Sequence, residues 1–299
     1  RMNKLTTSRR TLLKKAGQLA LAASLPLNQI NASDISKIQK SNKGSVNHSV
    51  CSWTYGFLTL AELCELVKGL GINTIDLVAP KDFTILKEYQ VNCSMCYTAG
   101  KISLTQGWND PSNHTWLIKD YLEAIPIIAQ AGYKNLICFS GNRNGMDNQT
   151  GLQNCVKGLR QILPVAEKYG ITIQMELFNS KIDHKDYMAD NSAWGVELCK
   201  QLGSANFKLL YDIYHMQISE GDIIRTIQDN HSYFGHYHTA GVPGRHEIDE
   251  SQELYYPAIM QAIVATGYTG FVAQEFIPSG KTKEDKISAL KKAIQICTI

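Results

Sequence analysis

Four things are missing from this chain of 299 residues, and each absence removes a class of protein. The most apolar stretch near the start, Ala16 to Leu27, is too short and too broken for the roughly 20 residues that a bilayer span requires. No cysteine follows it closely, so lipid attachment is not expected. No Gly-x-Gly-x-x-Gly follows the first strand-like run, which argues against a doubly wound dinucleotide-binding sheet. The eight cysteines form no obvious disulfide framework. Cys51, Cys93, Cys96 and Cys138 fall in strand-like runs, and Cys64, Cys155, Cys199 and Cys297 in helix-like ones. The Cys-x-x-Cys of Cys93 and Cys96 ("CSMC") lies inside a β-like run, not at a helix start. Buried thiols are therefore expected in place of redox or zinc chemistry. Acids are the fourth scarcity. Residues 1–45 hold nine Lys or Arg and one acid, Asp34, so the net charge of +3 conceals 21 bases against 26 acids in the remainder. A folded part with a balance of −5 is a poor partner for nucleic acid.

The basic start has its own pattern. In "TSRRTLLKKAGQLALAASLPLNQINAS" the pair Arg9–Arg10 precedes a weakly apolar stretch, the layout of a twin-arginine export signal. Residues 1–32 are read as that signal, with cleavage near Ala32, and the polar 33–48 as a linker. The expected partner is the twin-arginine translocation machinery, which carries folded proteins, and the expected destination is the periplasm. A basic tail with a short surface helix is the plainer alternative.

From residue 49 onward short β-like runs alternate with longer helical ones. "SVCSWTYG" precedes "LAELCELVKGLG", "TIQMELF" precedes "SAWGVELCKQLG", and "GFVAQEFI" precedes "KEDKISALKKAIQIC". Helical stretches carry apolar residues at spacings of three and four, as in Ile118, Leu122, Ile125 and Ala129. Many of these stretches stop at glycine (Gly71, Gly132, Gly170, Gly203 and Gly267), where a left-handed residue ends a helix. The strand-like runs are apolar on both faces, as parallel strands covered by helices must be. Eight β-then-α units in about 250 residues predict a single-domain (β/α)8 TIM barrel over 49–299.

In such a barrel, chemistry gathers at the C-terminal ends of the strands. Glu176 ends the fifth run, Asp212 the sixth, His238 lies late in the seventh, and Glu275 late in the eighth. A charge late in an apolar run is costly unless paired or metal-bound. Three carboxylates cannot crowd together unpaired, and a divalent cation resolves the conflict. Carboxylate oxygens with one imidazole suit Mn2+ best, with Mg2+, Co2+ or Fe2+ as alternatives. Taken singly, each residue could equally be a salt bridge or a helix cap. His236 and His238 share one strand face. The one nearer the C-terminal end is assigned to the metal, and His236 to the core. Arg245, in the loop "AGVPGRHEIDE", could clamp a substrate carboxylate or bridge to Glu247 or Asp249. His215 could bond a substrate oxygen or orient Glu176 or Glu275.

"DIYHMQISEGD", "GHYHTAGVPGRHEID", "YPAIMQAIVATGYTGFVAQEFIP" and "MELFNS" resemble the hydroxypyruvate isomerase family, within the xylose-isomerase-like barrels. The likeness covers most of residues 170–278. It implies that Glu176, Asp212, His238 and Glu275 hold one divalent ion and that Glu176 and Glu275 also serve as the acid/base pair. It further implies a proton shift between adjacent carbons of a sugar or sugar acid through an enediolate, with hydroxypyruvate and tartronate semialdehyde as the family's pair. His238 is a departure, since close members often carry Gln there. Histidine is the habit of ketose 3-epimerases and xylose isomerases, so an epimerase or isomerase of a neutral ketose is the alternative. A repair nuclease of the same superfamily would need more histidines and a basic mouth, and an exported sugar binder would not need both glutamates. No phosphate cradle is evident, which favours a non-phosphorylated substrate.

Overall fold

A strand covered on both faces is buried along most of its length, and the eight short runs are buried at most of their positions. In a computed structural model, which describes residues 46–299, they form β1 (Asn47–Cys51), β2 (Thr74–Val78), β3 (Asn92–Cys96), β4 (Asn135–Cys138), β5 (Thr172–Glu176), β6 (Phe207–Asp212), β7 (Phe234–Thr239) and β8 (Phe271–Gln274). The strands are parallel and close in sequence order, with β8 pairing back onto β1 from Asn47 to Val50. The expected signal lies outside the described residues, as does most of the linker. Pairing starts at Asn47, two residues before the domain start expected at 49.

Helices cover the barrel from outside, and their ends are chemically specified. Thr59 caps Leu60–Gly69 and Thr282 caps Lys283–Cys297, each in a reciprocal capping box. Asp147 and Asn191 accept backbone N–H groups at the starts of Asn148–Leu159 and Ser192–Leu202. All five glycines expected to end helices have positive φ, from 66° at Gly170 and Gly203 to 88° at Gly132.

Three local readings change. The apolar spacing that runs across 151–170 would suit one helix, yet two form there, Asn148–Leu159 and Leu163–Tyr169. Pro164 has no N–H to give and its ring would meet the carbonyl of Arg160, so one continuous helix is excluded. The first run stops being strand at Cys51 and turns into a 3-10 segment, Ser52–Tyr55. An additional helix, Ile213–Ser219, springs directly from the end of β6. The eight cysteines are all free and buried, as expected; Cys93 and Cys96 bring their sulfurs within 3.5 Å without a bond.

Candidate metal centre

Each of the four strand-end residues is fixed by its own local structure. Glu176 is the last residue of β5, and the buried Tyr187 hydroxyl donates to its carbonyl at 3.0 Å. Asp212 ends β6 and caps the helix that follows: its Oδ1 accepts the His215 N–H at 3.1 Å. The cap is thus formed by Oδ1, while Oδ2 lies 3.4 Å from Arg245 Nη2. His238 lies opposite Asp212 in the β6–β7 register. Glu275 follows β8 by one residue, with its N–H bound to the Thr239 carbonyl at 2.9 Å.

These four side chains converge. One ligand atom from each of Glu176, Asp212, His238 and Glu275 lies within 4.8 Å of the others, and all four residues are buried. His238 Nδ1 is 2.9 Å from Glu275 Oε2 and 3.2 Å from Glu176 Oε1. Apart from that approach of His238, Glu176 Oε1 is buried with no hydrogen-bond partner among the described residues. Donor atoms that share an ion at about 2.0–2.2 Å lie roughly 3–3.5 Å apart, and the spacing of His238 to the two glutamates is close to that of ligands around one small divalent cation.

Arg245 brings a permanent positive charge into the cluster. Its Nη2 is 2.5 Å from Glu275 Oε2 and 3.4 Å from Asp212 Oδ2. The guanidinium lies between the rings of Trp53 and Tyr214, at 5.2 and 5.4 Å from their centroids. Gly244 and Arg245 both take positive φ, 91° and 61°, which turns the loop so that the arginine points inward. The alternative of a bridge within the loop is not what forms. Glu247 accepts from Ser279, and Asp249 pairs with Ser251 and Lys292.

The electrostatics of the four groups differ accordingly. Burial, reinforced by the Glu275 charge, pushes the Glu176 carboxyl up to about 7. Burial also raises Asp212 well above the usual carboxylate range, against the pull of Arg245. At Glu275 burial opposes the charge, but Arg245 and His238 outweigh it and hold the carboxyl well below its ordinary value. Burial works against a cationic His238 as well, yet Glu275 prevails and raises it. His215 is pushed well down by burial and by Arg245. Its Nδ1 accepts from the Asn179 amide at 2.7 Å, and its Nε2 is 3.6 Å from Asp212 Oδ2. It therefore sits beside Asp212, whereas the sequence offered Glu176 or Glu275 as the group it would orient.

His236 is a core residue, as read from sequence: it is fully buried, with Nε2 2.8 Å from Asp76 Oδ2. Asp76 itself was missed. This carboxylate sits in the middle of β2, inside "TIDLV", and its Oδ1 is 3.0 Å from His238 Nε2. The rule that a charge in an apolar run is costly would have found it, had it been applied to the first half of the chain. Trp53 was missed too: its indole N–H donates to Glu275 Oε1 at 2.8 Å. No sequence signal announces that contact, because it depends on the turn after β1.

Residues 84–296 match the family described as the xylose isomerase-like TIM barrel, and the chain belongs to it. Among curated relatives, the 2-oxo-tetronate isomerase of Cupriavidus necator is 36% identical over 117 residues, 39% of this chain and 44% of that protein. A Homo sapiens protein whose name includes hydroxypyruvate isomerase is 31% identical over 129 residues, 43% of this chain and 47% of its own length. The D-psicose 3-epimerase of Ruminiclostridium cellulolyticum is 31% identical over 142 residues, 46% and 45% respectively. The matched segment spans less than half the length of each of these relatives. Among solved structures, a family 2 AP endonuclease from Brucella melitensis superposes with a TM-score of 0.73 at 23% identity, covering 82% of this chain and 96% of that one. At that identity the likeness speaks for the fold alone.

Proposed function

We propose that this chain is a metal-dependent isomerase of a small, non-phosphorylated sugar acid, with hydroxypyruvate to tartronate semialdehyde as the leading reaction. The observation that carries the reading is the convergence of Glu176, Asp212, His238 and Glu275 within 4.8 Å at the strand ends. Those four side chains would hold one divalent ion, Mn2+ by preference, with Mg2+ or Co2+ as alternatives. When bound, the ion supplies Lewis-acid stabilisation of charge developing on the substrate's carbonyl and hydroxyl oxygens.

The chain's own groups do the rest. One of Glu176 and Glu275 takes the proton from the α-carbon, and the other returns one to the neighbouring carbon. Arg245, held between two aromatic rings, grips the acid group of the substrate, and His215 bonds one of its oxygens. Trp53, Tyr214 and Arg245 together restrict water near the glutamates.

A second reading has its own support. Arg245 is already engaged by Glu275 and Asp212, which leaves it less free to bind a carboxylate, and a ketose 3-epimerase is among the relatives. On that reading the substrate is a neutral ketose and the proton returns to the same carbon. Exchange of the α-proton in D2O, followed over a panel of hydroxypyruvate, other 2-oxo sugar acids and neutral ketoses, separates the two. Deuterium entering a sugar acid supports the isomerase, and deuterium entering ketoses alone supports the epimerase. No exchange with any member, in protein loaded with Mn2+, rejects both.

Export through the twin-arginine route belongs to the same proposal, on the strength of Arg9 and Arg10. A folded reporter fused behind residues 1–48 should leave the cytoplasm, and the double change Arg9→Lys, Arg10→Lys should keep it inside. Export of both versions would rule out this route.

A further inference from the structure

Asp76 is a full carboxylate in the middle of a barrel strand, completely buried, and among the described residues no lysine or arginine forms an ion pair with it. Burying a charge that way is costly unless hydrogen bonds and an opposite charge surround it. Its surroundings are two histidines and two short side chains. Oδ1 faces His238 Nε2 at 3.0 Å, with Cys51 Sγ at 3.6 Å. Oδ2 faces His236 Nε2 at 2.8 Å and accepts the Ser94 hydroxyl at 2.5 Å. Ser94 is backed in turn by Ser49, oxygen to oxygen at 2.6 Å. Asp76, Ser94, Ser49 and Cys51 lie on β1 to β3, in the half of the molecule that supplies none of the four candidate ligands.

His238 is where the chain meets the site. One ring nitrogen, Nε2, faces Asp76; the other, Nδ1, faces Glu176 and Glu275. An imidazole binds a metal through a nitrogen that carries no proton, so the proton must sit on the other nitrogen, and a buried N–H needs an acceptor. Asp76 Oδ1 is placed to be that acceptor. Its second oxygen accepts from Ser94 and lies 2.8 Å from His236 Nε2, which restrains the carboxylate's rotation. We infer that Asp76 is the positioning residue that fixes the ring of His238 with Nδ1 toward the ion, and that His236 and Ser94 hold Asp76 in place. This inference rests on the proposed metal centre and adds to it a group from β2.

The test uses the full chain, stripped of metal and titrated with Co2+ alone, with affinity and visible absorption bands as readouts. Wild type should bind one Co2+ per chain. Asp76→Asn should weaken binding about 10–100-fold and alter the bands, and His236→Gln should do the same to a smaller degree. An Asp76→Asn protein with wild-type affinity and bands, merely less resistant to heat, would overturn the inference and leave Asp76 as a core ion pair. A second Co2+ in wild type, bound among Cys51, Asp76 and His238, would overturn it as well. Should Asp76→Asn fail to fold, the nitrogen shifts of His238 in Zn2+-loaded wild type decide. Ligation through Nδ1 with a proton on Nε2 upholds the inference, and ligation through Nε2 refutes it. Wild type that binds no Co2+ at all would remove the metal centre itself. That result is distinct from one in which only the Asp76 variant is unaffected.

Discussion

The two halves of this barrel share an architecture and differ in what they carry. β5 to β8 place Glu176, Asp212, His238 and Glu275 at or just past their C-terminal ends, one ligand candidate per strand. β1 to β4 supply none of the four, yet they contribute Trp53 against Glu275 and Asp76 against His238. Groups that would meet the ion directly cluster in one half, and two of the groups that hold those in place, Trp53 and Asp76, come from the other. The lesson is that eight similar units need not be equivalent. The closed order of strands sets β1 beside β8 and lets the first half brace the second.

The strongest way to sharpen that contrast is to remove a proton-transfer group. Glu275→Gln or Glu176→Gln should lower kcat by about two to four powers of ten with the circular dichroism unchanged, and full turnover in either variant would discard the acid/base assignment. Next in size is Arg245→Ala. Loss of a charged hydrogen bond of about 1.5–3 kcal/mol should raise KM for sugar acids about 10–100-fold and change kcat less. An unchanged KM for acids would move the reading toward neutral ketoses. Smaller again is Trp53→Phe, which tests the first half directly. It deletes one donor to Glu275 while keeping an aromatic face, and kcat/KM should fall about tenfold. No change would mean that the first half braces the site through Asp76 alone.

The smallest expected effect lies away from the mouth. His48 on β1 has its Nε2 2.9 Å from the Thr298 hydroxyl, and burial pushes its pKa from 6.5 down to about 4. Between those values the unfolded chain takes up a proton that the folded chain refuses, so stability falls as pH drops from about 6.5 to about 4. In His48→Gln that limb of a urea-denaturation series across pH should flatten. An unaltered slope would assign acid sensitivity elsewhere.

Much of this was legible in the sequence, for reasons that can be named. The alternation of two hydrophobic periods gives the eight units, and glycines such as Gly170 and Gly203 mark helix ends because a left-handed residue is needed there. The four ligand candidates stand out because each places charge late in an apolar run. What escaped depends on three-dimensional closure. Trp53 reaches Glu275 only because β8 pairs with β1, 222 residues apart in sequence. Arg245 could be placed in a loop but not aimed, since its direction follows from the backbone turn at Gly244. The break before Leu163 follows from Pro164, although the apolar spacing continues across it and masks the break.

Counting bound metal in purified, metal-stripped protein after titration with Mn2+ bears most directly on the shared ion. Wild type should take up one ion per chain, and Asp212→Asn and Glu176→Gln should each lose most of that affinity. Wild type that binds no ion, or variants that bind as tightly as wild type, would contradict the account at its root.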